Sequence, residues 1–248
     1  MDSSCLFLPE ELLAVDFARV PHHVAIIPDG NRRWAELREA PAYMGHRCGA
    51  DGLLEIVKGA KQLGIGTLTF YAFSTENWLR ASEEVDALML LLESYLAEQC
   101  APMCEHGVRF YAIGELERLP KSVRDALTAT QVATARGEAI DFILALNYGG
   151  RNELCRAMQR IAADCLAGKC SPQDIDEVLI ATYLDTGSWV DPDLLIRTSG
   201  EHRVSNFLLW QISYAEIYFS EVLWPDFTPK HLLQAVLDYQ RRQRRGGV

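Results

Sequence analysis

Val24-Ala-Ile-Ile-Pro-Asp-Gly-Asn-Arg-Arg-Trp34 reads as an apolar β-strand that ends on a charged turn. A second stretch repeats the pattern far along the chain: Asp193-Leu-Leu-Ile-Arg-Thr-Ser-Gly-Glu-His-Arg-Val-Ser-Asn206. In an open α/β sheet, ligands bind at the carboxyl ends of the strands, where the following turn exposes backbone N–H groups. The charges indicate the chemistry expected there. Asp29 suits a hard cation, and Arg33, Arg197 and Arg203, with Ser199 and Ser205 between them, suit phosphate oxygens. The expected site therefore takes a phosphorylated compound with magnesium.

Working outward, short runs rich in β-branched and aromatic residues recur at 24–28, 67–73, 108–113, 140–146, 194–197 and 216–219, mostly separated by stretches of helical period. Strands alternating with helices predict an α/β fold: a single domain with a central, mainly parallel β-sheet flanked by helices. Leu53, Leu54, Ile56, Val57, Ala60 and Leu63 share one face of a helix predicted over 49–63. An irregular loop, Ala40–Gly45, is expected before it, placed to act as a lid. Ser82 is expected to cap the next helix, and further helices are predicted over 121–136, 152–167, 172–184 and 229–242.

The chain has 248 residues and a formal net charge of −10, and no Pro/Gly/Ser-rich linker divides it. That charge argues against a general nucleic-acid binder, which needs a basic surface. Seven cysteines, odd in number and never spaced C-x-x-C, predict neither a disulfide framework nor zinc. With no secretory leader recognised, a reducing cytosol is the expected compartment. The apolar windows are too short to span a bilayer.

Each motif has a plainer alternative. Asp29-Gly30-Asn31 followed by arginines is compatible with an ordinary turn; its special use is that Gly30 permits a sharp reversal. Ser74, Asn77 and Arg80 stand at three-residue steps after a strand and can converge on one ligand, or simply cap a helix. The Arg197–Ser205 segment is the most specific, because a solvated loop explains charge but not this density of phosphate-binding groups. Leu88, Leu91, Leu92, Tyr95 and Leu96 form either core or one wall of a channel for hydrocarbon. No G-x-x-x-x-G-K-[ST] or G-x-G-x-x-G occurs, so the phosphate need not belong to a nucleotide. A phosphate head with an apolar tail describes an isoprenoid diphosphate.

At this point the chain resembles the cis-prenyltransferases. The resemblance runs from about His23 to Gly247 through His-Val-Ala-Ile-Ile-Pro-Asp-Gly-Asn-Arg-Arg-Trp-Ala, Tyr-Ala-Phe-Ser-Thr-Glu-Asn-Trp, Leu-Asn-Tyr-Gly-Gly-Arg151 and Ile-Arg-Thr-Ser-Gly-Glu-His-Arg-Val-Ser-Asn. It implies a catalytic domain over 21–248 behind an N-terminal extension 1–20, with a hydrophobic tunnel. It further implies a homodimer that extends an allylic diphosphate, such as farnesyl diphosphate, by isopentenyl diphosphate units with cis geometry. The product would be a long-chain polyprenyl diphosphate such as the undecaprenyl carrier of cell-wall synthesis, able to bring the enzyme to a membrane surface. Asp29 would bind magnesium with help from Glu216. Gly30, Arg33 and His46 with the neighbouring backbone would hold the allylic diphosphate, Asn31, Arg32, Trp34, Trp78 and Arg80 are further substrate-binding candidates, and Ser74 and Asn77 would lie near the carbon that loses a proton. Arg197, Arg203 and Ser205 would hold isopentenyl diphosphate, and Arg244 would match an R-x-G element that crosses the dimer interface. Ala42 stands where the family carries an arginine, leaving Arg38 or Arg47 to complete the allylic site. A non-catalytic or short-chain member of the family is the alternative.

Overall fold

The computed structural model describes residues 5–243. In chain order the elements are α1 (Pro9–Leu13), β1 (His23–Ile27), α2 (Asn31–Glu36), α3 (Ala42–Asp51), α4 (Leu53–Gln62), β2 (Thr67–Ser74), α5 (Ser82–Glu105), β3 (Val108–Ile113), α6 (Lys121–Thr134), β4 (Ile140–Tyr148), α7 (Gly150–Leu166), α8 (Glu177–Tyr183), β5 (Leu194–Arg197), β6 (Glu216–Phe219) and α9 (Pro229–Arg241). The strands form one sheet in the order β3-β4-β2-β1-β5-β6, every neighbouring pair parallel. All carboxyl ends therefore open on the same side. Each expected strand is present within two residues of its bounds.

β1 lies inside the sheet and is buried along its whole length. Its side chains alternate between two cores, as the period of a strand requires. Val24 and Ile26 join the apolar cluster formed with Leu53, Ile56 and Val57 of α4 and Leu232 and Val236 of α9. Ala25 and Ile27 face the opposite cluster, with Tyr71, Tyr148, Leu195, Phe207 and Leu208. The segment ahead of β1 is packed too: Phe7 and Val15 are buried, and Leu6 N–H donates to Gln62 Oε1 at 3.0 Å.

Four local expectations are corrected. The loop expected over 40–45 is helical from Ala42, because Pro41 sets the extended entry to α3; the helix expected over 49–63 is interrupted at Gly52, giving α3 and α4. Ala81, not Ser82, occupies the cap of α5. The single helix expected over 172–184 is a 3-10 turn followed by α8, since Asp176 caps afresh by accepting from Leu179 N–H at 2.8 Å.

Candidate active site

The register of the sheet brings the two quoted segments together. Ile27 of β1 pairs with Arg197 of β5, so Asp29, two residues past β1, comes beside the guanidinium. Arg197 Nη2 donates to Asp29 Oδ2 at 2.7 Å, and Nη1 donates to Ser205 Oγ at 2.7 Å and to Arg203 O at 2.5 Å. The Arg197 side chain is 4% exposed and that of Asp29 33%; the carboxylate is the open side of the pair. Asp29 Oδ1 also accepts from Gly30 N–H at 2.8 Å. Gly30 has a φ of 103°, and a Cβ there would come within 2.8 Å of Leu223 and 2.9 Å of Ser199. The sharp reversal read from the sequence thus requires glycine for both conformation and space.

The backbone that follows β5 is strained. Ser199, Ser205, Asn206 and Leu208 all have positive φ, a conformation that non-glycine residues adopt at a cost and that clusters where geometry serves function. The loop is held by contacts the sequence reading missed. Thr198 Oγ1 accepts from Asp29 N–H and donates to Asp29 O, at 2.8 and 2.7 Å. Asn206 donates to Glu76 Oε1 at 2.9 Å, and its side-chain and backbone oxygens accept from Arg151 and Gly150 N–H. Their position inside the Arg197–Asn206 segment was the available signal. Glu153 was missed as well. This fully buried residue, whose carboxyl is raised by burial, accepts from Tyr148, Gln211 and the Asp185 backbone.

Cations surround this centre, each beside a carboxylate. Arg33 donates to Ser199 O at 3.0 Å and to Glu201 Oε1 at 3.0 Å, and Arg203 pairs with the other oxygen of Glu201. Across the cleft, Arg80 binds Glu84 at 2.9 Å, with Arg32 at 3.7 Å from the same carboxylate. His46, on α3, lies near this group. Burial, then the charge of Arg80, lowers its pKa to about 4, so the imidazole is neutral at pH 7. Five buried side-chain atoms among the described residues have no hydrogen-bond partner, and three of them are here: Asn31 Oδ1, His46 Nε2 and Arg197 Nε. Buried polar groups are ordinarily satisfied, so this concentration marks a place where a bound molecule would supply partners.

Ser74 and Asn77 line the same cleft, of about 530 Å³, with Asp29, Asn31, His46, Arg80 and Ser205. They do so as a cap: Asn77 Oδ1 accepts from Ser74 N–H at 3.1 Å at the start of a 3-10 turn. The two tryptophans make structural contacts. Trp34 donates to Asp226 at 2.8 Å and Trp78 to Asn147 at 2.7 Å. Arg38 lies 4.1 Å over the Trp34 ring and pairs with Asp226, whereas Arg47 lines the adjoining cavity. Within one chain Glu216 is not brought to Asp29. It opens β6, level with Leu194, about 10 Å of strand before Arg197 at roughly 3.3 Å per residue; there it pairs with Arg242 at 2.9 Å. Arg244 lies outside the described residues. No group of three or more His, Cys, Asp or Glu able to hold a metal occurs among the described residues.

Behind the cleft the walls become apolar. His46, Ala72 and Leu88 line both the cleft and an inner cavity of about 100 Å³ enclosed by Leu53, Phe73, Leu92 and Leu146. That cavity adjoins a wider one of about 490 Å³ between α3 and α5. Comparisons agree with a site of this form. The family model described as "Putative undecaprenyl diphosphate synthase" matches residues 27–247. The chain is similar to the isoprenyl transferase of Chlamydia caviae, at 46% identity over 96% of this chain and 97% of that one. It is also similar to the isoprenyl transferase of Geobacter sulfurreducens, at 47% over 92% and 93%. Among solved structures, lavandulyl diphosphate synthase from Lavandula x intermedia, in complex with dimethylallyl diphosphate, superposes with a TM-score of 0.91 at 39% identity, over 93% of this chain and all of that one. A probable undecaprenyl diphosphate synthase from Campylobacter jejuni gives 0.77 at 33%, over 92% and 99%. A match of this length and identity, joined to cations at the strand ends and apolar space behind them, means that the chain belongs to the undecaprenyl diphosphate synthase family of isoprenyl transferases.

Proposed function

We propose that this isoprenyl transferase extends farnesyl diphosphate with isopentenyl diphosphate, in cis geometry, to a long-chain polyprenyl diphosphate such as the undecaprenyl carrier of cell-wall synthesis. The observation that carries the proposal is the continuity of the polar cleft with apolar cavities through His46, Ala72 and Leu88. Arg197, Arg203 and Ser205 are assigned to isopentenyl diphosphate. The allylic diphosphate is assigned to Gly30, Arg32, Arg33, His46 and Arg80, with Arg47, which lines one cavity with Ala42, preferred to Arg38, which pairs with Asp226. Neutral His46 offers one hydrogen bond there without adding charge. Cleavage of the allylic carbon–oxygen bond leaves diphosphate, whose growing charge fixed guanidinium groups stabilise without reorganising. The isopentenyl double bond attacks the allylic carbon, and loss of a proton beside Ser74 and Asn77 restores neutrality. Leu88 and its apolar neighbours keep water from the cation.

Magnesium fits the donor set. Asp29 is a partly open carboxylate with lone pairs to spare, and magnesium binds through one or two carboxylates plus substrate phosphates rather than a protein cage. When bound, it would neutralise charge on the departing diphosphate. A cytosolic enzyme is proposed, on seven cysteines that are odd in number and never spaced C-x-x-C; no helix among the described residues is long and apolar enough to cross a membrane, and the lipid product supports peripheral contact with one. A dimer is proposed to complete the site from the partner's C-terminal tail. Purified protein incubated with farnesyl diphosphate, labelled isopentenyl diphosphate and magnesium is expected to yield labelled lipid of many isoprene units. Absence of incorporation by folded protein would overturn the proposal. The likeness to lavandulyl diphosphate synthase supports a second reading, a short product, which the same assay separates by length.

A further inference from the structure

Cys165 and Cys170 lie outside the cleft, at the far end of α7 from the turn that binds Asn206. Their Sγ atoms are 3.2 Å apart and both residues are partly exposed. The end of α7 sets this approach. Gly168, with a φ of 72°, donates its N–H to Cys165 O at 3.0 Å, and Lys169 N–H returns to Asp164 O at 2.9 Å, so residue 170 is carried back over the last helical turn. Cys170 is tethered on both sides: Lys169 Nζ pairs with Asp164 at 2.8 Å, and Ser171 N–H donates to Asp174 Oδ2 at 2.8 Å. The hydrogen bond between the thiols raises that of Cys170 to about 11. Cys170 therefore keeps its proton and donates it to Cys165, the sulfur left to act as nucleophile. Closing the pair to a bond of about 2.05 Å asks for about 1 Å of side-chain movement. What it would fasten is lightly held. α8 buries no residue, and polar contacts tie it to α7: Tyr183 Oη donates to Asp164 Oδ2 at 2.6 Å, Arg160 donates to Tyr183 O, and just beyond α8 Asp185 pairs with Arg156 at 2.5 Å. Elements with few buried apolar contacts open most readily.

We propose that Cys165 and Cys170 are a modification site, a dithiol that closes reversibly by exchange with a low-molecular-weight disulfide and fastens the α7–α8 connection to the end of α7. The Cys165 thiolate attacks one sulfur of the incoming disulfide, forming a mixed disulfide and releasing the first small thiolate. Cys170 then attacks Cys165 Sγ and the second small thiolate leaves; the two protons given up by the cysteines end on the two released thiols. The pair is oxidised by two electrons and the small disulfide is reduced by two. In a reducing cytosol disulfides are of this transient kind. The reduced full chain, incubated with oxidised glutathione, quenched in acid, alkylated and digested with trypsin without reduction, should give peptides 161–169 and 170–197 joined, two hydrogens lighter than their sum and free of glutathione; dithiothreitol should separate them. In Cys170→Ser, glutathione should stay on Cys165. Both cysteines still alkylated in the parent, or glutathione retained on either of them, overturns the proposal. A second measurement needs no variant: hydrogen exchange of the α8 amides should be several-fold slower in the oxidised parent than in the reduced one. Equal exchange in the two forms, with the joined peptide present, overturns the fastening of α8.

Discussion

Asp29 and Arg197 form a buried-to-open pair, and their substitutions separate two kinds of effect. Asp29→Ala is expected to lower kcat by several powers of ten, because it removes the carboxylate assigned to the metal during ionisation. The fold should survive, since Thr198 holds the Asp29 backbone and not its carboxylate; steady-state kinetics at saturating magnesium with a circular dichroism control checks both. Near-normal turnover would contradict the assignment. Arg203→Ala should chiefly raise the KM for isopentenyl diphosphate, tenfold or more for a lost charge-assisted pair of about 1.5–3 kcal/mol. Arg197→Ala should do the same and also lower stability, because this guanidinium is buried and holds Asp29, Ser205 and the Arg203 carbonyl. Titrating each substrate separately decides the point: a KM effect confined to the allylic diphosphate would exchange the two subsites.

All six strands were legible in the sequence, because a parallel strand buried on both faces is a continuous apolar run such as 24–27, and its carboxyl end is marked by the first charge after it. Helix starts were less so. Ser82 lost the cap of α5 to Ala81, and Asp176 restarted a helix inside 172–184, since capping depends on one or two dihedral angles that composition does not record. At the site, the charged residues were visible as charge. Thr198, which holds the Asp29 backbone, and Asn206 and Glu153, which tie the neighbouring loops, were not, because such residues reveal their roles only through partners distant in sequence. Two histidines give the elements a pH dependence. His23 bridges strands and loop through Val190 O and Thr69 Oγ1, and burial lowers its pKa to about 4, as it does that of His46. Both are protonated at higher pH in the unfolded chain than in the folded one. Their contribution is therefore complete above pH 6.5 and is lost as pH falls from 6.5 to 4, by about 1 kcal/mol per pH unit for each group. Urea midpoints measured across that range should fall with pH, and His46→Gln should flatten part of the slope; a slope unaltered in the variant would exclude His46 as a source.

At the scale of the molecule, α9 ends where β6 begins. Arg242 donates to Glu216 Oε2 and Ile217 O, both at 2.9 Å, and pairs with Asp238. The described chain therefore ends near the amino end of the sheet, opposite to the end that carries Asp29. The proposed action of residues 244–248 in another subunit's cleft is tested in two ways. Deleting residues 244–248 should reduce activity much more than thermal stability. Mixing tail-deleted subunits with Arg197→Ala subunits should restore activity above the parental average, because some heterodimers then hold one intact site; no gain in demonstrated heterodimers would exclude action in trans. The position of β1 has another consequence, for biosynthesis. One of its edges is covered by β2 some forty residues later, but the other waits for β5, about 170 residues on. While the ribosome makes the intervening chain, the first half of the protein carries an unpaired strand edge, apolar from Val24 to Ile27, the kind of surface that templates aggregation. Catalytic competence and escape from that hazard arrive in the same event, the docking of Leu194–Arg197 onto Val24–Ile27, so a chain stalled before it would be both inert and a client for chaperones.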